Sequence, residues 1–200
     1  MPIAGVVVAR APKHLDDTGR HRSRESGCYR RPGRELVDMY SSVDVHNYLQ
    51  ELDIPHEVFK FSGRAGSIQR AAAALGLEPK QLARVELFRI DGEPSIVIVP
   101  GDREVDITKL KGVTGGQGVE RIASDEIPPL TGYHTGDTPP VAHKTEMPAY
   151  IDYYTLREDV IYTGSGEPAA ILKIRSYDLV RATGGEIVDV LTSTEEGEEE

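Results

Sequence analysis

Apolar positions begin to recur near Met39 and stop near Leu191, and between those points their period changes several times. Val45, Tyr48, Leu49 and Leu52 fall at helical spacing behind Ser42, which predicts a helix over 43–52, capped by Ser42 and stopped by Pro55. Residues 56–61 alternate as a strand. A second helix is predicted over 67–75, capped by Ser67, propagated by four alanines and ended by Gly76. A short turn over 78–82 leads to a strand over 85–90. Asp91-Gly92 is a hairpin signal, and residues 94–99 pair back. Ile96-Val97-Ile98-Val99 has no polar position, so this strand belongs in a sheet centre, buried on both faces.

The second half is built of shorter pieces. Residues 105–110 read as a strand end passing into a helix, 112–118 as a glycine-rich loop, and 119–123 as a strand. Ser124 caps a brief helix. Strands follow at 149–153, 160–163 and 169–174, the last two joined by a hairpin-type connection. A helix capped by Ser176 ends at Gly184-Gly185, and residues 186–191 add a final strand. Strands outnumber helices and neighbours often pair by hairpins. The fold class is therefore α+β, with a mixed, mostly antiparallel sheet carrying a few helices.

The stretch Thr131-Gly132-Tyr133-His134-Thr135-Gly136-Asp137-Thr138-Pro139-Pro140 breaks the pattern. Two glycines and two prolines in ten residues shape a loop between apolar blocks. It is either a plain connector or a functional loop held by a stiff scaffold.

Composition narrows the classes. The 200 residues suit one domain with tails: a patterned domain over 39–191, an N-terminal extension over 1–38 without apolar period, and an acidic tail over 192–200. Met39 reads as an alternative initiator, and a basic arm is the other reading of residues 1–38. No apolar run approaches the roughly 20 residues that span a bilayer, and the first ten residues make a poor signal peptide, so a cytoplasmic protein without a membrane partner is expected. The single Cys28 excludes an intramolecular disulfide. The net charge of -10 advertises no nucleic-acid partner; a basic face would have to be local, and residues 60–111, with nine Lys+Arg against seven Asp+Glu, are the candidate.

Several chemistries are excluded. There is no Gly-x-Ser-x-Gly elbow and no His-Glu-x-x-His. Gly115-Gly116-Gln117-Gly118 lacks the Lys-Ser/Thr of a phosphate-binding loop. His134 and His143 lack a third ligand at regular spacing, so no metal is assigned, nor any cofactor. Asp152 either meets a ligand amine or caps a turn, and Arg84 either holds a phosphate or is a surface base.

The order of landmarks resembles the YbaK/ProX family, aminoacyl-tRNA deacylases related to the editing insertion of bacterial prolyl-tRNA synthetases. The resemblance runs from about Val43 to Leu191. It is carried by Ala74-Leu75-Gly76, Gln81-Leu82-Ala83-Arg84, Val97-Ile98-Val99-Pro100-Gly101-Asp102, Thr131-Gly132-Tyr133, the Gly-x-x-x-Pro signature at Gly136-Asp137-Thr138-Pro139-Pro140, Tyr150-Ile151-Asp152 and Thr163-Gly164. It implies a barrel-like mixed sheet with surrounding helices. It also implies trans-editing hydrolysis of the ester of a mischarged aminoacyl-tRNA carrying a small amino acid, with the tRNA 3′ end and a synthetase as partners and without an enzyme nucleophile. By the same resemblance, Gly136, Pro140 and Arg84 are catalytic, and Asp137, Thr138, Pro139, Asp152 and Gly164 bind substrate. Relatives usually carry Lys where this chain has Arg84. Arginine keeps the charge and can hold a phosphate bidentately, yet it cannot accept a proton. The alternative is a catalytically inactive module that binds an aminoacyl-tRNA end or a nucleotide.

Overall fold

The computed structural model describes residues 39–60, 73 and 75–193. The expectations for residues 1–38, for 67–72 of the second helix and for the end of the tail lie outside them.

Helix α1 (Ser42–Glu51) begins one residue earlier than expected. Ser41, not Ser42, is its cap: the Ser41 hydroxyl accepts from the Val43 N–H, and the Asp44 side chain accepts from the Ser41 N–H, a capping box. Val45 and Leu49 are fully buried, while Tyr48 and Leu52 stay largely exposed, so the apolar face is narrower than the spacing suggested. Strand β1 (His56–Lys60) follows. A 3-10 turn at Pro79–Gln81 then leads into β2 (Ala83–Ile90) and β3 (Glu93–Pro100). Their connection is the predicted two-residue hairpin. Asp91 and Gly92 both have positive φ, 49° and 95°, as a type I′ turn demands.

Helix α2 (Ile107–Thr114) is capped by the Asp106 side chain, which accepts from the N–H groups of Thr108 and Lys109. It absorbs Gly112, which the sequence placed in a loop, and stops at Gly115 in the left-handed region. Strand β4 (Val119–Arg121) and helix α3 (Ile127–Thr131) come next. Ser124 does not cap α3; its first turn is set by Pro128 and Pro129, and Glu126 precedes it without a side-chain bond. After β5 (Ala149–Asp152), a 3-10 turn (Tyr153–Arg157) leads to β6 (Val160–Gly164) and β7 (Ala170–Arg175). Helix α4 (Ser176–Thr183) has Arg175 before it, so Ser176 is its first residue rather than its cap. Strand β8 (Glu186–Val188) is shorter than expected.

The fold is α+β, with two open sheets among the described residues rather than a closed barrel. One has the order β1-β7-β6, all antiparallel. The other has the order β4-β2-β3-β5-β8, in which β2 pairs antiparallel with both neighbours, while β3–β5 and β5–β8 are parallel. A parallel bridge between Leu82 and Tyr162 joins the two sheets at the foot of β2.

The all-apolar β3 explains the layering. Ile96 and Ile98 enter a core shared with α1, α4 and the three-stranded sheet. Val97 and Val99 enter a second core with Phe88, Leu110 of α2, Val190 and Leu191. The strand is thus buried on both faces, as its composition requires. Among the described residues, no helix is long and apolar enough to cross a membrane.

Candidate active site

Strand β2 is polar where the sheet leaves its core. Arg84 and Glu86 alternate with Ala83, Val85 and Leu87 along the strand, and all five border the same cavity. Together with β4 residue Arg121, the start of β2 forms one wall of a cavity of about 530 Å³. Gly136, Asp137, Thr138 and Gly164 also line it. Five of the residues singled out from the sequence are therefore brought together: Arg84, Gly136, Asp137, Thr138 and Gly164.

The loop wall is tied down at several points. Thr135 donates its hydroxyl hydrogen to the Ser124 carbonyl at 2.7 Å, and the Gly166 N–H donates to the Asp137 carbonyl at 2.9 Å. The base of the loop is fixed by fully buried Tyr133, whose hydroxyl donates to the Ala142 carbonyl at 3.0 Å and whose ring meets Tyr40 edge-on. Gly136 has φ 91°, a conformation that side chains disfavour. Gly164 is needed for a different reason: a Cβ there would lie 2.7 Å from the Thr138 carbonyl oxygen and 3.0 Å from that of Asp137.

Pro139 and Pro140 do not face this cavity. Pro140 lines a second one of about 590 Å³ on the other side of the loop, with Val141, Ala142 and His143. The Pro139 carbonyl accepts from His143 Nε2 at 2.8 Å. Burial holds the His143 imidazole below its ordinary value, opposed by that bond, so the ring serves as a neutral donor. The prolines stiffen the loop beside the first cavity, and without N–H groups they have no backbone donor to offer.

Asp152, expected to receive a substrate ammonium, does not line this cavity. It is fully buried, and it caps the 3-10 turn after β5. One oxygen accepts from the Tyr154 N–H at 2.9 Å and the other from the Val190 N–H at 2.8 Å. Burial pushes its carboxyl above the ordinary value, and those two bonds pull the other way.

The charged wall is a network that sequence reading missed. Arg84 Nη2 donates to the Arg103 carbonyl and lies 3.2 Å from both Glu86 Oε1 and Glu104 Oε1. Arg121 Nη1 pairs with Glu86 Oε2, and its Nη2 lies 3.6 Å from Glu104 Oε2. The Arg121 guanidinium also covers the Phe88 ring, 5.0 Å from its centroid. Two guanidiniums and two carboxylates thus alternate in one cluster, of which Arg84, Glu86 and Arg121 line the cavity. Arg84 Nε is buried without a hydrogen-bond partner. Across the cavity, burial pushes the Asp137 carboxyl above its ordinary value, and His134 draws it part of the way back. Among the described residues, no three His, Cys, Asp or Glu side chains group as metal ligands.

Residues 63–182 match the family model for the aminoacyl-tRNA editing domain. The chain belongs to that family. The editing domain is 21% identical over 148 residues to a candidate Cys-tRNA(Pro)/Cys-tRNA(Cys) deacylase, EbsC, of Enterococcus faecalis, covering 72% of this chain and 90% of that one. It is 33% identical over 92 residues to the proline–tRNA ligase of Maridesulfovibrio salexigens, 46% of this chain but only 16% of the ligase. The match to that ligase thus involves a small part of a much longer protein. The fold of the editing domain is that of a candidate trans-editing enzyme for prolyl tRNA synthetase, whose crystal structure superposes with a TM-score of 0.70 at 23% identity, over 80% of this chain and all of that one.

Proposed function

We propose that the editing domain hydrolyses the ester of a mischarged aminoacyl-tRNA in trans, with a small amino acid as the acyl group. The observation that supports this reading is that Gly136, Asp137 and Thr138 line one cavity together with Arg84 and Arg121. Its volume of about 530 Å³ falls within the roughly 300–1,000 Å³ of small-molecule sites.

Ester cleavage develops negative charge on the carbonyl oxygen. Preorganised N–H groups stabilise such charge most effectively. The Asp137 N–H is turned back to the His134 carbonyl at 3.1 Å, so the role falls to the N–H groups of Gly136 and Thr138. Water attacks the acyl carbon, the ribose oxygen leaves as an alcohol after taking a proton, and the amino acid departs as its carboxylate. No side-chain nucleophile enters the step. Asp137, in place of Asp152, receives the substrate ammonium, which stabilises its ionised form against the burial that opposes it. Arg84 steadies the phosphate of the terminal nucleotide. The need for such an enzyme follows from binding energetics: a synthetase pocket gains only about 1–3 kcal/mol from one methylene, too little to exclude a near-isosteric amino acid.

One observation favours a second reading, a binding module without turnover: Arg84 Nη2 is already engaged by Glu86, Glu104 and the Arg103 carbonyl. Incubation with a panel of mischarged tRNAs separates the two. Release of a small amino acid above background, reduced in Arg84→Ala, is expected. No release from any tRNA, with binding retained, establishes the module instead.

A further inference from the structure

Glu104 sits across the two guanidiniums in the manner of an anionic ligand. Its Oε1 is 3.2 Å from Arg84 Nη2 and its Oε2 is 3.6 Å from Arg121 Nη2. Glu86 bridges the same pair from beneath, but the two carboxylates differ in depth. The Glu86 side chain is 11% exposed and the Glu104 side chain is 64% exposed. Removing Glu86 would strip a buried partner from both arginines. An exposed pair, by contrast, is worth at most about fivefold in an equilibrium constant, so Glu104 is easily displaced.

The backbone supports the same distinction. The Glu104 carbonyl accepts from the Thr192 N–H at 3.0 Å, and the Arg103 carbonyl accepts from Arg84. The bend carrying Glu104 is therefore held in place while its exposed carboxylate reaches the two guanidiniums, and the side chain can swing into solvent without moving the bend. Arg84 Nε, buried without a partner, shows that the protein's own acceptors do not saturate this guanidinium.

We propose that Arg84 and Arg121 form an anion clamp for a phosphodiester of the substrate, and that in the free protein Glu104 occupies it as a stand-in for that phosphate. The charges match. Two guanidiniums, Glu86 and Glu104 sum to zero, and exchanging the Glu104 carboxylate for a phosphodiester monoanion leaves the sum unchanged. Arginine suits the exchange because its planar fork fits both groups. Arg121 thereby becomes a second substrate-binding residue. Glu104 becomes a filter against ligands that lack the phosphate, because they have nothing with which to replace it.

This rests on the deacylase reading for the identity of the phosphodiester, the one joining the terminal adenosine of the tRNA to its neighbour. The test reads binding without hydrolysis. The full chain is titrated with the RNA trinucleotide CCA and with the same trinucleotide carrying a neutral methylphosphonate at its last linkage. Glu104→Gln should tighten binding of the natural trinucleotide by about threefold to fivefold and leave the neutral one unchanged. Arg121→Gln should weaken the natural one and abolish the gain in the double variant. A gain shared equally by both probes, a gain that survives loss of Arg121, or no change in Glu104→Gln overturns the clamp. Absence of binding by every variant overturns it as well. Release of amino acid from mischarged tRNA by the same preparation would then show that the deacylase reading stands without it.

Discussion

Gly164 and Thr138 meet backbone to backbone: a Cβ on Gly164 would stand 2.7 Å from the Thr138 carbonyl oxygen. The obstructing atom belongs to the main chain of the loop, which cannot swing aside as a side chain would. Gly164→Ala should therefore push the 136–138 segment out of position. We expect a loss of about 1–3 kcal/mol, typical of overpacking, and at least a tenfold fall in kcat/KM for deacylation. Thermal unfolding and steady-state kinetics on the same sample check both.

Asp137→Asn should remove a pH dependence. Burial raises the Asp137 carboxyl above 3.8, so the folded protein holds this proton more tightly than the unfolded chain does. Its ionisation therefore costs stability, a cost absent below 3.8 and complete once the pH exceeds the raised folded value. At neutral pH Asp137→Asn should be at least as stable as the wild type, and the difference should vanish at the acid end. If Asp137 receives the substrate ammonium, wild-type kcat/KM falls as pH drops through the same raised value. The variant should lose that acid limb, with kcat/KM lower by about tenfold or more at neutral pH. Denaturation and rate profiles against pH measure the two effects separately.

Asp152→Asn should behave in the opposite way. Both carboxylate oxygens accept main-chain N–H groups, so the amide must place an NH₂ against one of them. A loss of about 1–3 kcal/mol is expected, with a melting temperature lower by about 2–4 °C for each kcal/mol. Deacylation per folded molecule should be unchanged. A selective loss of kcat with normal stability would return Asp152 to the site.

Arg84→Lys keeps the charge and loses the fork. One ammonium cannot reproduce the contacts to Glu86, Glu104 and the Arg103 carbonyl at once. We expect a modest stability change, within about 1 kcal/mol because the cluster borders solvent, and a raised KM with kcat nearly intact. Arg84→Gln should raise KM by about tenfold. A fall in kcat at constant KM would instead bring the guanidinium to the ester itself.

The large elements were legible because their signals are local. The Asp91-Gly92 hairpin, the doubly buried β3 and the closure of α4 at Gly184 each depend on a few adjacent residues. Caps were misplaced by one residue at α1 and α4, since a serine can be the cap or the first helical residue and only the backbone decides. Gly136 and Asp137 lie in the loop whose composition stood out, while Gly164 was marked by the family resemblance. Arg121, Glu86 and Glu104 were not, because their meeting depends on the pairing of β2 with β4, where Phe88 faces Arg121, and on the return of the chain at Glu104. The place of Asp152 was hidden for the same reason: one of its hydrogen-bond partners, the Val190 N–H, lies 38 residues along the chain.

The ties from Thr135 to Ser124 and from Asp137 to Gly166 have a thermodynamic consequence. A receptor that is already in shape loses none of its association free energy to ordering itself. Under the proposed deacylase reading, each visiting tRNA end would meet a finished surface, so short residence would suffice for discrimination, and many different tRNAs could be sampled in turn. The upper temperature of that activity would then be set by melting of the surrounding sheets, not by earlier slackening of the 135–137 loop.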